Sequence, residues 1–270
     1  MNNHAEIVFT CSEAFHYKGE MMLEEHALVR VISGELKVIQ AGKTSIFGPG
    51  STHLFPRNQL ATLIKYEKDG FPYKAVVIKL TTSYLQDFYA AKMSRYVPPQ
   101  SKAIVQLGKS PLLESFFSSI MPYFELESKL PQALARLKIT EAVTILQSLN
   151  NDIDSVLSDF SEPHKINLSD FMERNYMFNM PIEKFGYLTG RSLTTFKRDF
   201  KKTFNTTPQK WLTQKRLELA HYQLTQKHRK PTDFFYEIGF ENLSHFSHAF
   251  KKQFGLSPGK LADKKHISSE

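Results

Sequence analysis

Thr194, Thr195, Lys197, Arg198 and Lys201 are interleaved with Phe196, Phe200 and Phe204. An aromatic residue at every fourth position forms one stripe on a helix, so the hydroxyls and cations between them fall on its other faces. Such side chains suit recognition chemistry: hydrogen bonds to base edges and neutralisation of phosphates. Fifty positions later the pattern recurs. Phe185/Phe235, Leu193/Leu243, Phe196/Phe246, Phe200/Phe250, Lys201/Lys251, Lys202/Lys252, Phe204/Phe254, Pro208/Pro258 and Lys210/Lys260 are identical pairs. A single duplicated helical unit explains them. Lys202 and Lys252, shared by both copies, are read as phosphate-facing or simply solvated.

Each copy needs elements that hold its helix. Thr189-Gly190-Arg191 supplies a glycine turn, and Ser192 a helix N-cap; Gly239 and Asn242 are the equivalents in the second copy. A short helix, a glycine turn and a longer capped helix make a helix-turn-helix, whose second helix enters the major groove. Lys215, Arg216, Leu217, Leu219, Ala220 and Leu224 predict a connecting helix over Thr213–Thr225. At 1.5 Å per residue it spans about 20 Å. It can hold the two units in successive grooves, about 34 Å apart on one face of DNA.

Charge separates these units from the rest of the 270-residue chain. Residues 1 to 165 carry 17 Lys+Arg and 17 Asp+Glu, whereas residues 166 to 270 carry 18 and 10, so the surplus of +8 lies wholly in the C-terminal segment. A neutral module joined to a basic one fits a sensor attached to a nucleic-acid binder. With 41% hydrophobic and 23% charged residues the composition is that of a globular protein, long enough for two domains. No apolar run reaches the roughly 20 residues needed to span a bilayer. The first residues lack the pattern of a secretion signal. A cytoplasmic location without membrane attachment is expected. Cys11, the only cysteine, excludes an internal disulfide and any zinc site with two or more thiolates.

From Ile7 to about Leu80, short β-branched stretches alternate with turn signals at Ser33-Gly34, Ala41-Gly42-Lys43, Gly48-Pro49-Gly50 and Asp69-Gly70. This spacing predicts a barrel or sandwich. Phe47, Phe55, Tyr66 and Phe71 are candidates for its interior. From Ser83 the pattern turns helical, clearest in Leu134, Leu137, Ala142, Ile145, Leu146 and Leu149, and these helices are expected to pack beside the barrel and to pair subunits. The fold class is α+β. Residues 1–160 form the sensor and dimerisation domain, 161–166 the linker, and 167–270 an all-α DNA-binding domain.

The C-terminal segment resembles the AraC/XylS family of bacterial transcription regulators. Ile238-Gly239-Phe240-Glu241-Asn242, Ser244, Phe246, Phe250-Lys251-Lys252, Phe254-Gly255 and Ser257-Pro258 look like that family's signature, and Arg216-Leu217, Ala220 and Leu224 like its linker helix. Over His26–Pro56 the likeness is architectural, to the family's cupin-like sensor barrel. The resemblance implies base contacts from Thr194, Lys197 and Arg198 in the first unit, and from Leu243, Ser244, Ser247 and His248 in the second, where His245 also lies at a comparable position. It further implies a regulator, expected to be an activator, acting on double-stranded DNA with RNA polymerase, as a homodimer, under a small-molecule effector or a regulatory protein. The chain has Ala262 where the family often carries Arg, and serines and histidines replace a long cation in the second helix.

Cupin barrels also build metal enzymes, so such an enzyme fused to a DNA-binding region is the rival reading. Its ligands would come from His16, Glu24, Glu25, His26 and His53, which contain no His-x-His pair or similar close spacing. The expectation is therefore no enzyme activity, no metal and no cofactor.

Overall fold

Strand β3 (His26–Ser33) is buried along its first six residues, whereas β4 (Glu35–Gln40) alternates between buried and half-buried positions. The contrast reports a sheet covered on both faces and a sheet covered on one. In the computed structural model, which describes residues 6–12, 16–40, 43–90, 103–125, 131–150 and 152–266, β3 lies at the centre of a five-stranded sheet. Its neighbours are β1 (Ile7–Ser12) and β8 (Tyr73–Leu80) on one side, and β6 (Thr52–Phe55) and β9 (Val105–Leu107) on the other, in the order β1-β8-β3-β6-β9. The second sheet runs β2 (His16–Leu23), β7 (Gln59–Tyr66), β4 and β5 (Lys43–Phe47). All of these strand pairings are antiparallel. The turn expected at Ala41-Gly42 and the His16 side chain lie outside the described residues.

Alternate residues of the central strands feed two cores. Val29, Val31, Val38, Phe47, Phe55, Tyr73 and Ala75 pack between the sheets. Leu28, Leu54, Val76, Ile78 and Leu80 join Leu85 and Tyr89 of α1 (Thr82–Ala90), Phe116 and Phe117 of α2 (Pro111–Ile120), Ile139 and Leu146 of α3 (Gln132–Leu149), and Leu157 of α4 (Ile153–Leu157). Helices therefore cover the outer face of the five-stranded sheet. Arg30 reaches out of that face to Thr52 Oγ1 at 3.0 Å and to the Glu114 carboxylate on α2, tying strand to helix. The Arg30 guanidinium holds the Glu114 carboxyl below its usual pKa.

Two features of this sheet region, Phe71 and β9, differ from the sequence expectation. Phe71 is 63% exposed, because it sits in the tight β7–β8 connection, where Lys68 and Phe71 exchange backbone hydrogen bonds. Strand β9 interrupts the stretch read as helical; its three residues are too few to show a period, and their partner strand lies some fifty positions earlier. Leu137 and Leu149 point outward at 65% and 39% exposure, while Ala135, Ile139, Ala142, Val143 and Leu146 make the packed face of α3.

The chain divides into two compact units, Met1–Ser161 and Glu162–Glu270. The second is helical among its described residues: α5 (Leu168–Asn175), α6 (Ile182–Leu188), α7 (Leu193–Phe204), α8 (Pro208–Thr225), α9 (Pro231–Phe234), α10 (Leu243–Phe254) and α11 (Pro258–His266). The connecting helix α8 starts five residues earlier than expected. Thr207 caps it by accepting from Lys210 N, and Pro208 fits its first turn, where no amide donor is needed.

Candidate nucleic-acid interface

The two repeats are built alike from the core outward. Phe196 and Phe200 are fully buried with Phe185, Trp211 and Leu212; Phe246 and Phe250 are fully buried with Phe234, Leu217, Ala220 and Leu224. Each longer helix thus stands on its own aromatic cluster. Both are capped as the sequence indicates: Ser192 Oγ accepts from Thr195 N at 3.3 Å, and Asn242 Oδ1 from His245 N at 2.7 Å. Both end in a left-handed residue, Asn205 and Gly255.

The turns between the helices demand glycine. Gly190 has φ +65° and Gly239 φ +90°, a region L side chains rarely adopt. Their surroundings differ. A Cβ on Gly190 would lie 2.3 Å from the His164 carbonyl carbon, and one on Gly239 would lie 2.7 Å from both Arg216 Nε and Met177 O. The first helix of the second unit is reduced to α9, a single turn of four residues followed by turns up to Gly239.

Opposite the aromatic stripe, Thr194, Lys197, Arg198 and Lys201 occupy positions i, i+3, i+4 and i+7 of α7, and all are exposed. Ser244, Ser247, His248 and Lys251 occupy the same positions on α10; Ser247 is half-buried and the others exposed. Lys202, Leu243, His245 and Lys252 flank these rows in the open, and Thr195 is half-buried beneath its cap. The rows match in geometry and differ in charge. Three members of the first are cations or long donors, against Lys251 alone in the second.

Arg198 is 74% exposed on its side chain and pairs through Nη2 alone with Asp199 Oδ1, at a long 3.4 Å, which leaves the rest of its guanidinium open to a ligand. Asp199 is engaged chiefly elsewhere. Its Oδ2 meets Lys165 Nζ and Arg191 Nε, each at 3.2 Å, and hydrogen bonds from Lys165 and then Arg191 hold its carboxyl below the usual range. Arg191 also donates to Thr189 O at 2.7 Å and Ile166 O at 3.0 Å, bracing the turn that aims α7. The sequence marks Arg191 only as part of the glycine turn and does not show its bonds to Asp199 and Ile166. Arg216 left a legible sign, a cation in the apolar register of the connecting helix.

Two of the metal-ligand candidates have other tasks. Glu25 Oε2 accepts from Thr82 N at 2.8 Å and Thr82 Oγ1 at 2.6 Å at the start of α1, and His26 Nδ1 accepts from Arg57 N at 3.3 Å. Among the described residues no three of His, Cys, Asp and Glu converge as a metal ion requires.

Comparison with known proteins gives two family matches: a helix-turn-helix domain over residues 188–264 and an ExsA N-terminal regulatory domain over residues 26–160, half of the chain. The HTH-type transcriptional regulator ExsA of Pseudomonas aeruginosa is 27% identical over 88% of this chain and 86% of its own length. The thermoregulatory protein LcrF of Yersinia pestis is 25% identical over 87% of this chain and 88% of its own. The virulence regulon transcriptional activator VirF of Yersinia enterocolitica is 28% identical over 58% of each.

Proposed function

Because the chain belongs to the AraC/XylS family of transcription regulators, with an ExsA-type regulatory domain, we propose that it reads double-stranded DNA through the two exposed rows, Thr194, Lys197, Arg198 and Lys201 on α7, and Ser244, Ser247, His248 and Lys251 on α10. It is a DNA-binding transcription regulator of the helix-turn-helix type, and activators are among its relatives. One observation carries the assignment of residues: two capped helices, each on its own aromatic core, present equivalent rows to solvent. Lys202 and Lys252 hold phosphates, Leu243 suits the thymine methyl group, and Thr195 and His245 lie at the groove edge.

Residues 167–270 bind DNA, 161–166 connect, and 1–160 sense and pair subunits. Exposed Leu112 and Leu137 on α2 and α3 support a homodimer through those helices. A cavity of about 590 Å³ between the sheets, lined by Leu36, Phe55, Tyr73, Lys65 and Lys79, supports control by a small molecule. The regulator acts in the cytoplasm by engaging RNA polymerase, and no enzymatic step is assigned to it. Among the described residues no helix is long and apolar enough to cross a membrane.

The test is selection of a random duplex library on the full chain, followed by titration of the enriched site at several salt concentrations. Sequence-selective binding that weakens steeply with salt is expected. A chain that binds every duplex alike would overturn the reading.

A further inference from the structure

The two aromatic cores of the DNA-binding unit do not merge. Trp211 and Leu212, early in α8, belong to the first, while Leu217, Ala220 and Leu224 belong to the second. Nine residues at about 100° each place Trp211 and Ala220 on opposite sides of the helix. The units therefore share a helix without sharing an apolar interior, so any further bracing between them comes from polar contacts.

Arg216 lies between the two sets, 8% exposed. Its Nε donates to Tyr176 O at 2.9 Å and its Nη2 to Phe178 O at 2.9 Å, both in the segment between α5 and α6. Its Nη1 donates to Gly239 O at 3.0 Å, in the turn that leads to α10. One rigid, planar fork thus joins the backbone of the first unit to the turn of the second. Gly239 lets the segments approach this closely, since a Cβ would strike both Arg216 and the Met177 carbonyl. At the exposed rim Asn179 Nδ2 donates to Glu241 Oε1 at 3.0 Å across the same junction.

We propose that Arg216 is a positioning residue that fixes the spacing and helical phase of the two recognition helices, so that DNA is read as two elements at one set distance. This rests on the two-row reading above. When two binding modules are linked, the second binds at an effective concentration set by the linkage, which is highest when the geometry is already correct. The bonds of Arg216 supply that geometry without touching DNA.

The experiment uses the full chain and the duplex enriched by the wild type, together with a version whose second element is scrambled and versions with one to roughly five base pairs inserted between the elements, about half a helical turn. For Arg216→Ala the intact site should weaken by about tenfold or more while the scrambled probe, held by the first unit alone, changes by less than about twofold, and the penalty for insertion should shrink. Arg216→Lys, which keeps the charge but lacks the fork, should fall between alanine and wild type. Asn179→Ala removes the rim contact to Glu241 and touches neither aromatic core. It should flatten the spacing profile in the same direction to a smaller degree, which provides a reading if Arg216→Ala does not fold. An equal loss on the intact and scrambled probes, or spacing profiles in Arg216→Lys and Asn179→Ala identical to wild type, would overturn the proposal. A wild-type chain that selects no two-element site would instead sink the reading on which it rests.

Discussion

The imidazole of His53 lies face to face with the ring of Phe47, centroids 3.7 Å apart. The side chain is buried, neither ring nitrogen has a hydrogen-bond partner among the described residues, and burial lowers its pKa from 6.5 to about 4. An unfolded chain therefore takes up a proton between those values that the folded chain refuses, so stability is complete above pH 6.5 and declines as the pH falls toward 4. The loss from this group reaches at most about 3 kcal/mol. His53→Leu, which keeps the apolar contact, should remove that acid limb while changing stability little at pH 7.5. Urea melts of both chains at pH 7.5, 6, 5 and 4.5 provide the check; parallel declines would show that other groups govern acid sensitivity.

A fragment beginning at residue 162 should fold and bind DNA, because both aromatic cores and the positive surplus lie beyond that point. Its affinity should drop by orders of magnitude between about 50 and 200 mM salt if it contacts six or more phosphates. Circular dichroism establishes folding and fluorescence anisotropy the salt slope. A folded fragment with a flat slope contradicts the expectation.

The two rows should contribute unequally. Arg198, exposed and held only by a long contact to Asp199, suits a bidentate contact with guanine, worth about 1–3 kcal/mol of discrimination, while the matching position on α10 is His248. Arg198→Ala should relax base preference over one element, and His248→Ala should cause a smaller loss. Titration against single-base variants of the selected site separates them. A uniform loss for Arg198→Ala combined with altered preference for His248→Ala would reverse the assignment.

Leu137, 65% exposed on α3, contributes little to the core of its own subunit. Leu137→Lys should therefore leave the melting temperature nearly unchanged and weaken a dimer by about tenfold or more if this face is the interface. Light scattering across a concentration series measures it. An unchanged dimer would move the interface elsewhere.

The sequence determined what depends on residues within a turn or two of one another. The caps at Ser192 and Asn242, the aromatic stripes and the left-handed glycines at 190 and 239 were all legible, because each acts through neighbours along the chain. The exposed rows on α7 and α10 followed from the same period, and the C-terminal charge surplus needed only counting. Tertiary structure alone decided the rest. The face of α3 that packs inward depends on a sheet built from residues before Leu80, so the period of α3 alone does not separate Ala135, Ile139 and Leu146, which meet that sheet, from Leu137 and Leu149, which face outward. Strand β9 exists through its pairing with β6, not through any pattern of its own. Arg216 is a junction because carbonyls 40 and 38 positions before it and 23 after it converge on its guanidinium, and backbone carbonyls carry no residue-specific signal that a sequence could display.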